Sequence, residues 1–346
     1  MYQKDGEKYF VVDGHVHYWT AGPENWRNVH GQQFIECFHD YHSGLSPEEY
    51  KWDFEKFHTI TEDGLISDLF TNGYADKAIL QPTHLKDFYK EGFNTTERVN
   101  ELAAKYPDRL MANGAYDPRD GEAGLEDFER AHEKWNFKGV KLYTAEWKGE
   151  SKGWDLRDES SRRYLDKVRE LGIKNVHIHK GPTIRPLNKD AFNVDDVDDV
   201  ASEYTDLNFI VEHVGLPRLE DFCWIATQEP NVYGGLAVAI PFMHARPRYF
   251  AQIIGELLFW IGEDRITFAS DYGIWQPKWL VEQFVDFQIP EDMQSEYGSI
   301  STFAKKKILG LNMAGLYDIE VPEEMRVHED AAHDSALLSD AAPVAP

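Results

Sequence analysis

Short runs dominated by β-branched, aromatic and aliphatic residues recur along the chain, each followed by a longer segment whose apolar residues fall at helical spacing. Eight such runs stand out: 9–17 (YFVVDGHVH), 77–83 (KAILQPT), 110–116 (LMANGAY), 139–144 (GVKLYT), 175–181 (NVHIHKG), 208–215 (NFIVEHVG), 231–240 (NVYGGLAVAI) and 266–273 (ITFASDYG). Helix candidates between them include NTTERVNELAAKY, with Asn94 or Thr95 placed as N-cap, and DESSRRYLDKVRELG, which stops at a glycine. Alternating β and α units in this number predict an α/β chain folded as a (β/α)8 TIM barrel. An open doubly wound sheet is the other arrangement the pattern allows, but no run is followed by the G-x-G-x-x-G turn of a dinucleotide site.

Two segments depart from the alternation. The connection after the first run, residues 19–62, is far longer than an ordinary βα loop and is expected to be a lid or binding loop; it carries Glu36, His39 and His42. The last segment, 322–346, is rich in Ala, Asp, Glu and Pro and is expected to be a disordered acidic tail beyond a barrel domain at 1–321.

Candidate chemistry gathers at the ends of the runs. Residues two apart on a strand share a face, so Asp13, His15 and His17 stand in one phase, and the two imidazoles can ligate one divalent metal. A pair of hydrogen-bonded core histidines is the other account of them. His179, His213 and Asp271 close the fifth, sixth and eighth runs, at the rim where barrel enzymes keep their functional groups. Four imidazoles and a carboxylate buried together would carry a large desolvation cost, which a bound metal removes. Trp19, Trp147, Trp275, Phe242 and Met243 follow strands and suggest an aromatic-walled pocket for a small molecule. His84, Arg185, His244 and Arg246 are placed to contact a carboxylate, and His177, one pair before His179, reads as a deeper core residue or a brace for a ligand. The acid run NVDDVDDV (193–200) reads as a solvated helix start rather than a calcium loop.

Composition narrows the partners. Among 346 residues, 61 acidic side chains against 36 basic ones give a net charge of −25, which argues against nucleic acid and anionic membrane surfaces. The polar start of the chain and the lack of any 18-residue apolar stretch lead to the expectation of a cytoplasmic protein without a membrane span. Cys37 and Cys223 are far apart and suggest neither a disulfide framework nor a zinc-thiolate site.

The H-x-H after the first strand, the single histidines ending the fifth and sixth, the aspartate after the eighth and the late ILGLNMAGLY segment resemble the amidohydrolase superfamily. More narrowly, they are similar to its amidohydrolase-2 branch, which includes aminocarboxymuconate semialdehyde decarboxylases, over residues 9–318. The resemblance implies a divalent metal (Zn, Mn or Fe) on His15, His17, His179 and Asp271, with His213 and Asp271 as the catalytic groups and His213 moving protons to or from a metal-activated water. In binuclear members a carboxylated lysine ends the fourth strand, so Lys141, with His179 and His213, would complete a second site, and Glu36 is a further candidate. The implied reaction is hydrolysis or non-oxidative decarboxylation of a small apolar or aromatic carboxylic acid or its derivative. The wording of DGHVHYW, GVKLYTAEW, HIHKGPT and EHVGLPRLEDF is also similar to members that accompany soluble diiron monooxygenases and to an amidohydrolase-fold diiron monooxygenase. Iron-dependent oxygenation, or a metal-bearing accessory role beside such an oxygenase, is therefore the alternative. Homodimers are expected from the same branch.

Overall fold

The computed structural model describes residues 1–327. The chain opens with an antiparallel hairpin, β1 (Tyr2–Lys4) and β2 (Glu7–Tyr9), turned by Asp5 and Gly6 at φ 51° and 83°. Left-handed backbone at both positions suits a two-residue turn between twisted strands. The first predicted run therefore divides: Tyr9 belongs to this hairpin, and β3 (Val12–Val16) begins the barrel.

Parallel strands follow in order: β4 (Lys77–Leu80), β5 (Leu110–Ala112), β6 (Gly114–Ala115), β7 (Gly139–Leu142), β8 (Asn175–His179), β9 (Asn208–Glu212), β10 (Val232–Gly235) and β11 (Ile266–Thr267). β3, β4 and β5 pair in sequence, as do β6 to β11, while β5 and β6 are one barrel strand interrupted at Asn113. Gly14 N donates to the Phe268 carbonyl (3.1 Å) and His17 N to the Tyr272 carbonyl (2.7 Å), which brings the end of the eighth strand back onto β3 and closes the ring. Helices Thr96–Lys105, Gly121–Trp135, Glu159–Glu170, Asp195–Glu203, Leu219–Gln228, Pro247–Ile261 and Pro277–Asp286 bury one apolar side each. The fold is the TIM barrel that the alternation predicts. Among the described residues no helix is long and apolar enough to cross a membrane.

Three boundaries differ from the sequence reading. Pairing in the seventh strand stops at Gly235, because Val238 takes φ 62° and turns the chain away before Ile240. The long first connection is largely helical: Val29–Leu45, capped by the Asn28 side chain accepting from His30 N (2.9 Å), is followed by shorter helices Phe54–Phe57 and Glu62–Ile66. Of the expected tail, residues from 328 lie outside the described ones. Its first part is ordered, since Glu323–Met325 forms a 3-10 turn and Met325 is buried in a cluster with Phe10, Val12, Ile79 and Tyr317.

The acid run is another correction. Asp196, on helix Asp195–Glu203, is not solvated; it is buried against Lys180, whose Nζ donates to it at 2.9 Å, and it accepts from Leu156 N at 3.1 Å. Like a spring latch, this pair joins the segment after β8 to the outer helix. Removing one partner would strand the other charge in a dry site. Asp196→Ala is expected to cost about 3–5 kcal/mol of unfolding free energy, measured by urea denaturation; a loss below about 1 kcal/mol, the range of surface pairs, would contradict the buried pairing.

Candidate metal centre

The register of β3 against β4 shifts between Asp13 and Val16; His15, within the shifted stretch, and His17, just past it, turn into one space. Their Nε2 atoms are 3.1 Å apart, and Asp271 Oδ1 lies 3.2 Å from His17 Nε2 and 3.7 Å from His15 Nε2. The three side chains are buried, and one donor atom from each fits within 4.8 Å of the others. Asp13, although in phase with them, serves the frame: it accepts from Ser270 N (2.9 Å) and from the Ser270 hydroxyl, locking β3 to the eighth strand.

Hydrogen bonds on the far side of each ring place the protons. His17 Nδ1 donates to the Gln81 carbonyl (2.9 Å), so its Nε2 keeps a lone pair toward Asp271. His213 Nδ1 donates to the Ala237 carbonyl (3.0 Å); its Nε2 then accepts from His179 Nδ1 (2.9 Å), and His179 Nε2, buried and without a partner, keeps a free lone pair. Burial, only partly opposed by Glu212, pushes the His15 imidazole down to about 3. Burial also lowers His179, with His213 adding to the effect, and lowers His213. For Asp271 burial acts upward, but His15, His17 and His213 outweigh it and bring the carboxyl to about 2. Near neutrality His15, His179 and His213 are thus uncharged and Asp271 is ionised, the states in which imidazoles and carboxylates can ligate a metal.

His17, His179, His213 and Asp271 share one small cavity, about 20 Å³, walled by Phe34, Phe38, Phe93, Tyr143, Ile184, Val238 and Trp275. That is room for about one water. Phe34, Phe38 and Tyr41 come from helix Val29–Leu45, which therefore caps the site. His213, Val214, Val238 and Asp271 all have positive φ (64°, 46°, 62° and 56°), a cost that non-glycine residues bear where the surrounding structure over-determines them. Lys141 stands deeper, buried, its Nζ without a hydrogen-bond partner; burial lowers its amine to about 8 against the pull of Glu212 and Asp271.

Several residues expected at the mouth are elsewhere. Glu36 faces Arg185 at 3.7 Å on the surface, so it supplies no metal ligand and Arg185 no contact in the cavity. The early turn at Val238 carries Phe242, His244 and Arg246 outward: Phe242 packs on Tyr249, Arg246 stacks over the same ring at 4.6 Å, and His244 is exposed. Trp147 packs edge-on against Phe88 with Lys152 over its face at 3.6 Å. Trp19 is buried behind the wall, stacked on Phe93 and donating to the Phe57 carbonyl, whereas Trp275 does line the cavity. His84 accepts from Thr96 N (3.3 Å) at a helix start, and His39 bonds the Trp52 carbonyl.

Sequence reasoning missed Glu212, Asn94 and Tyr143. Asn94 is not a cap, a role Thr95 fills; its Nδ2 donates to the Gln81 carbonyl (2.7 Å) beside His17. Glu212 is buried with Oε1 2.6 Å from His177 Nδ1 and Oε2 3.0 Å from His15 Nδ1. A carboxylate inside an apolar strand, next to a histidine, was the available signal.

The amidohydrolase family profile matches residues 12–319, and the chain belongs to that family. No curated protein sequence matches the chain. Among solved structures it is similar to an uncharacterized TIM-barrel protein from Bordetella bronchiseptica, with a TM-score of 0.66 at 16% identity over 89% of this chain and 98% of that one. A probable 2-pyrone-4,6-dicarboxylic acid hydrolase from Acinetobacter baumannii gives 0.54 at 13% identity over 89% and 99%. A 5-carboxyvanillate decarboxylase from Novosphingobium aromaticivorans, complexed with manganese, gives 0.53 at 17% identity over 90% and 96%.

His42 ties the cap to this site. Its Nδ1 donates to the Ile274 carbonyl and its Nε2 accepts from Trp52 N, both at 2.6 Å, and burial lowers it to about 4. Because the unfolded imidazole, near 6.5, takes up a proton first, its contribution is full above that pH and is lost as pH falls toward about 4. The stability difference between wild type and His42→Phe, from denaturation at stepped pH, should therefore shrink across that window; a difference constant from pH 7 to 4 would refute it.

Proposed function

We propose that this chain is a metal-dependent hydrolase or carboxy-lyase acting on a small apolar or aromatic carboxylic acid or its derivative. The convergence of His15, His17 and Asp271, with the free Nε2 of His179 on the same cavity, carries the reading. Two ring lone pairs and a carboxylate oxygen buried and packed this closely fit a divalent cation better than they fit one another. His15, His17, His179 and Asp271 would hold it. A cation there supplies Lewis acidity and lowers the pKa of a water it binds.

The chain's own groups supply the rest. His213, its Nδ1–H held by the Ala237 carbonyl, lines the cavity with Nε2 engaged by His179 Nδ1; it would take up or return the proton at Nε2 by exchanging that contact for the reacting group. The Tyr143 hydroxyl and Trp275 Nε1 are buried without partners on the cavity wall and are free to donate to oxygens of a bound substrate. Phe34, Phe38 and Phe93 offer faces to a flat apolar ring and exclude water. An aromatic acid exceeds the space present, so its entry requires helix Val29–Leu45 to move.

Lys141 places a buried amine near Glu212 and Asp271, and Glu36 is on the surface, which favours one ion over two. Solved structures with similar folds include a probable hydrolase and a decarboxylase, and these lend no support to oxygenation.

Chelation should abolish turnover and manganese restore it, read as carbon dioxide release or carbonyl hydrolysis on a panel of aromatic acids, esters and lactones. His213→Asn, assayed with manganese in saturating excess because His213 also orients His179, should lower kcat by roughly 10²–10⁴-fold. Full turnover by that variant would remove His213 from proton transfer, and full activity of metal-free protein would sink the proposal.

A further inference from the structure

We propose that Glu212 is a positioning residue: braced by His177 and Tyr317, it holds His15 as the Nδ1–H tautomer and so keeps the Nε2 lone pair facing His17 and Asp271. The inference rests on reading the site as a metal centre. His15 Nδ1 and Glu212 Oε2 lie 3.0 Å apart and both are buried; the contact is not aligned as a hydrogen bond, and neither atom has a hydrogen-bond partner among the described residues, so a small turn of the ring toward Glu212 is what would satisfy both. If His15 carried its proton on Nε2, a bare ring nitrogen would face a bare carboxylate oxygen in a dry site.

The other carboxylate oxygen is fixed from the opposite end of the barrel. Glu212 Oε1 is 2.6 Å from His177 Nδ1, His177 Nε2 is 2.8 Å from the Tyr317 hydroxyl, and that hydroxyl accepts from Asn113 Nδ2 at 2.8 Å with Asn113 Oδ1 a second, longer acceptor for its proton at 3.0 Å. One proton placement satisfies the ionised Glu212 and both nitrogens of His177. Tyr317 donates to His177 Nε2, His177 donates from Nδ1 to Glu212, and Glu212 accepts from His15 Nδ1 with its remaining oxygen. Tyr317 follows helix Asn312–Leu316, whose last carbonyl receives Asn175 Nδ2 at 2.7 Å, so the brace is anchored to the start of β8.

The test uses the full chain, metal-free, with ¹⁵N-labelled histidine. Wild type should show His15 protonated at Nδ1; Glu212→Gln should shift it toward the Nε2–H form or a mixture and weaken Mn²⁺ binding roughly 10–100-fold in a chelator competition. Tyr317→Phe removes one hydroxyl only and should move both readouts the same way by a smaller factor, which keeps the test open if Glu212→Gln does not fold by circular dichroism. Nε2–H in wild-type His15, or wild-type Mn²⁺ affinity in both folded variants, overturns the proposal. Wild type that binds no Mn²⁺ overturns the metal reading instead, and the tautomer signal then decides the positioning role by itself.

Discussion

The buried charge of Glu212 is the constraint to which the rest of the barrel conforms. A carboxylate removed from water persists only where donors and compensating charge surround it, and here both oxygens meet imidazoles while Lys141 stands nearby. The usual filling of such a barrel is layers of branched apolar side chains. In this chain Gln81, Asn113, Lys141, His177 and Glu212 occupy the interior instead, and Gln81 and Asn113 bond each other at 2.9 Å. A polar column of this kind fixes side-chain directions more sharply than apolar packing does, because each misplaced proton leaves an unpaired buried group.

Above the column the same logic shapes the mouth. His17 and His213 are oriented by backbone carbonyls, and His179 is oriented through His213, so three rings are aimed without flexible surface partners. Positive φ at His213 and Asp271 turns the chain sharply where two strands end, which directs both side chains into the cavity. Helix Val29–Leu45 then covers them with aromatic rings, and His42 fastens that cover to Ile274, three residues beyond Asp271. Cover and site are thus joined through one short segment.

The strand pattern and the histidine phases were legible because a buried parallel strand announces itself as an apolar run, and polar residues within it stand out. His15, His17, His179, His213 and Asp271 could be picked from that contrast alone; His17, His179, His213 and Asp271 line one cavity, and His15 stands beside His17 and Asp271. Arg185, His244, Arg246, Phe242 and Trp147 were misjudged for a common reason. Sequence position shows that a residue follows a strand, but the turn after the strand decides whether it faces inward, and Val238 turned its segment away. Asn94 and Thr95 both suit a helix start by side chain; Thr95 takes the cap, and Asn94 turns to the Gln81 carbonyl instead.

Local sequence by itself determined the alternation of strands and helices, the identity of the ionisable groups at the strand ends and the strongly acidic surface, since each depends on residues near one another in the chain. Tertiary structure decided which of those groups share a proton network, that Glu36 belongs to the surface, that Asp196 belongs to the interior, and that a helix closes the mouth. The physical reason is that desolvation and hydrogen-bond satisfaction are settled by contacts between residues as distant as Glu212, His15 and Tyr317, and no local pattern encodes those pairings.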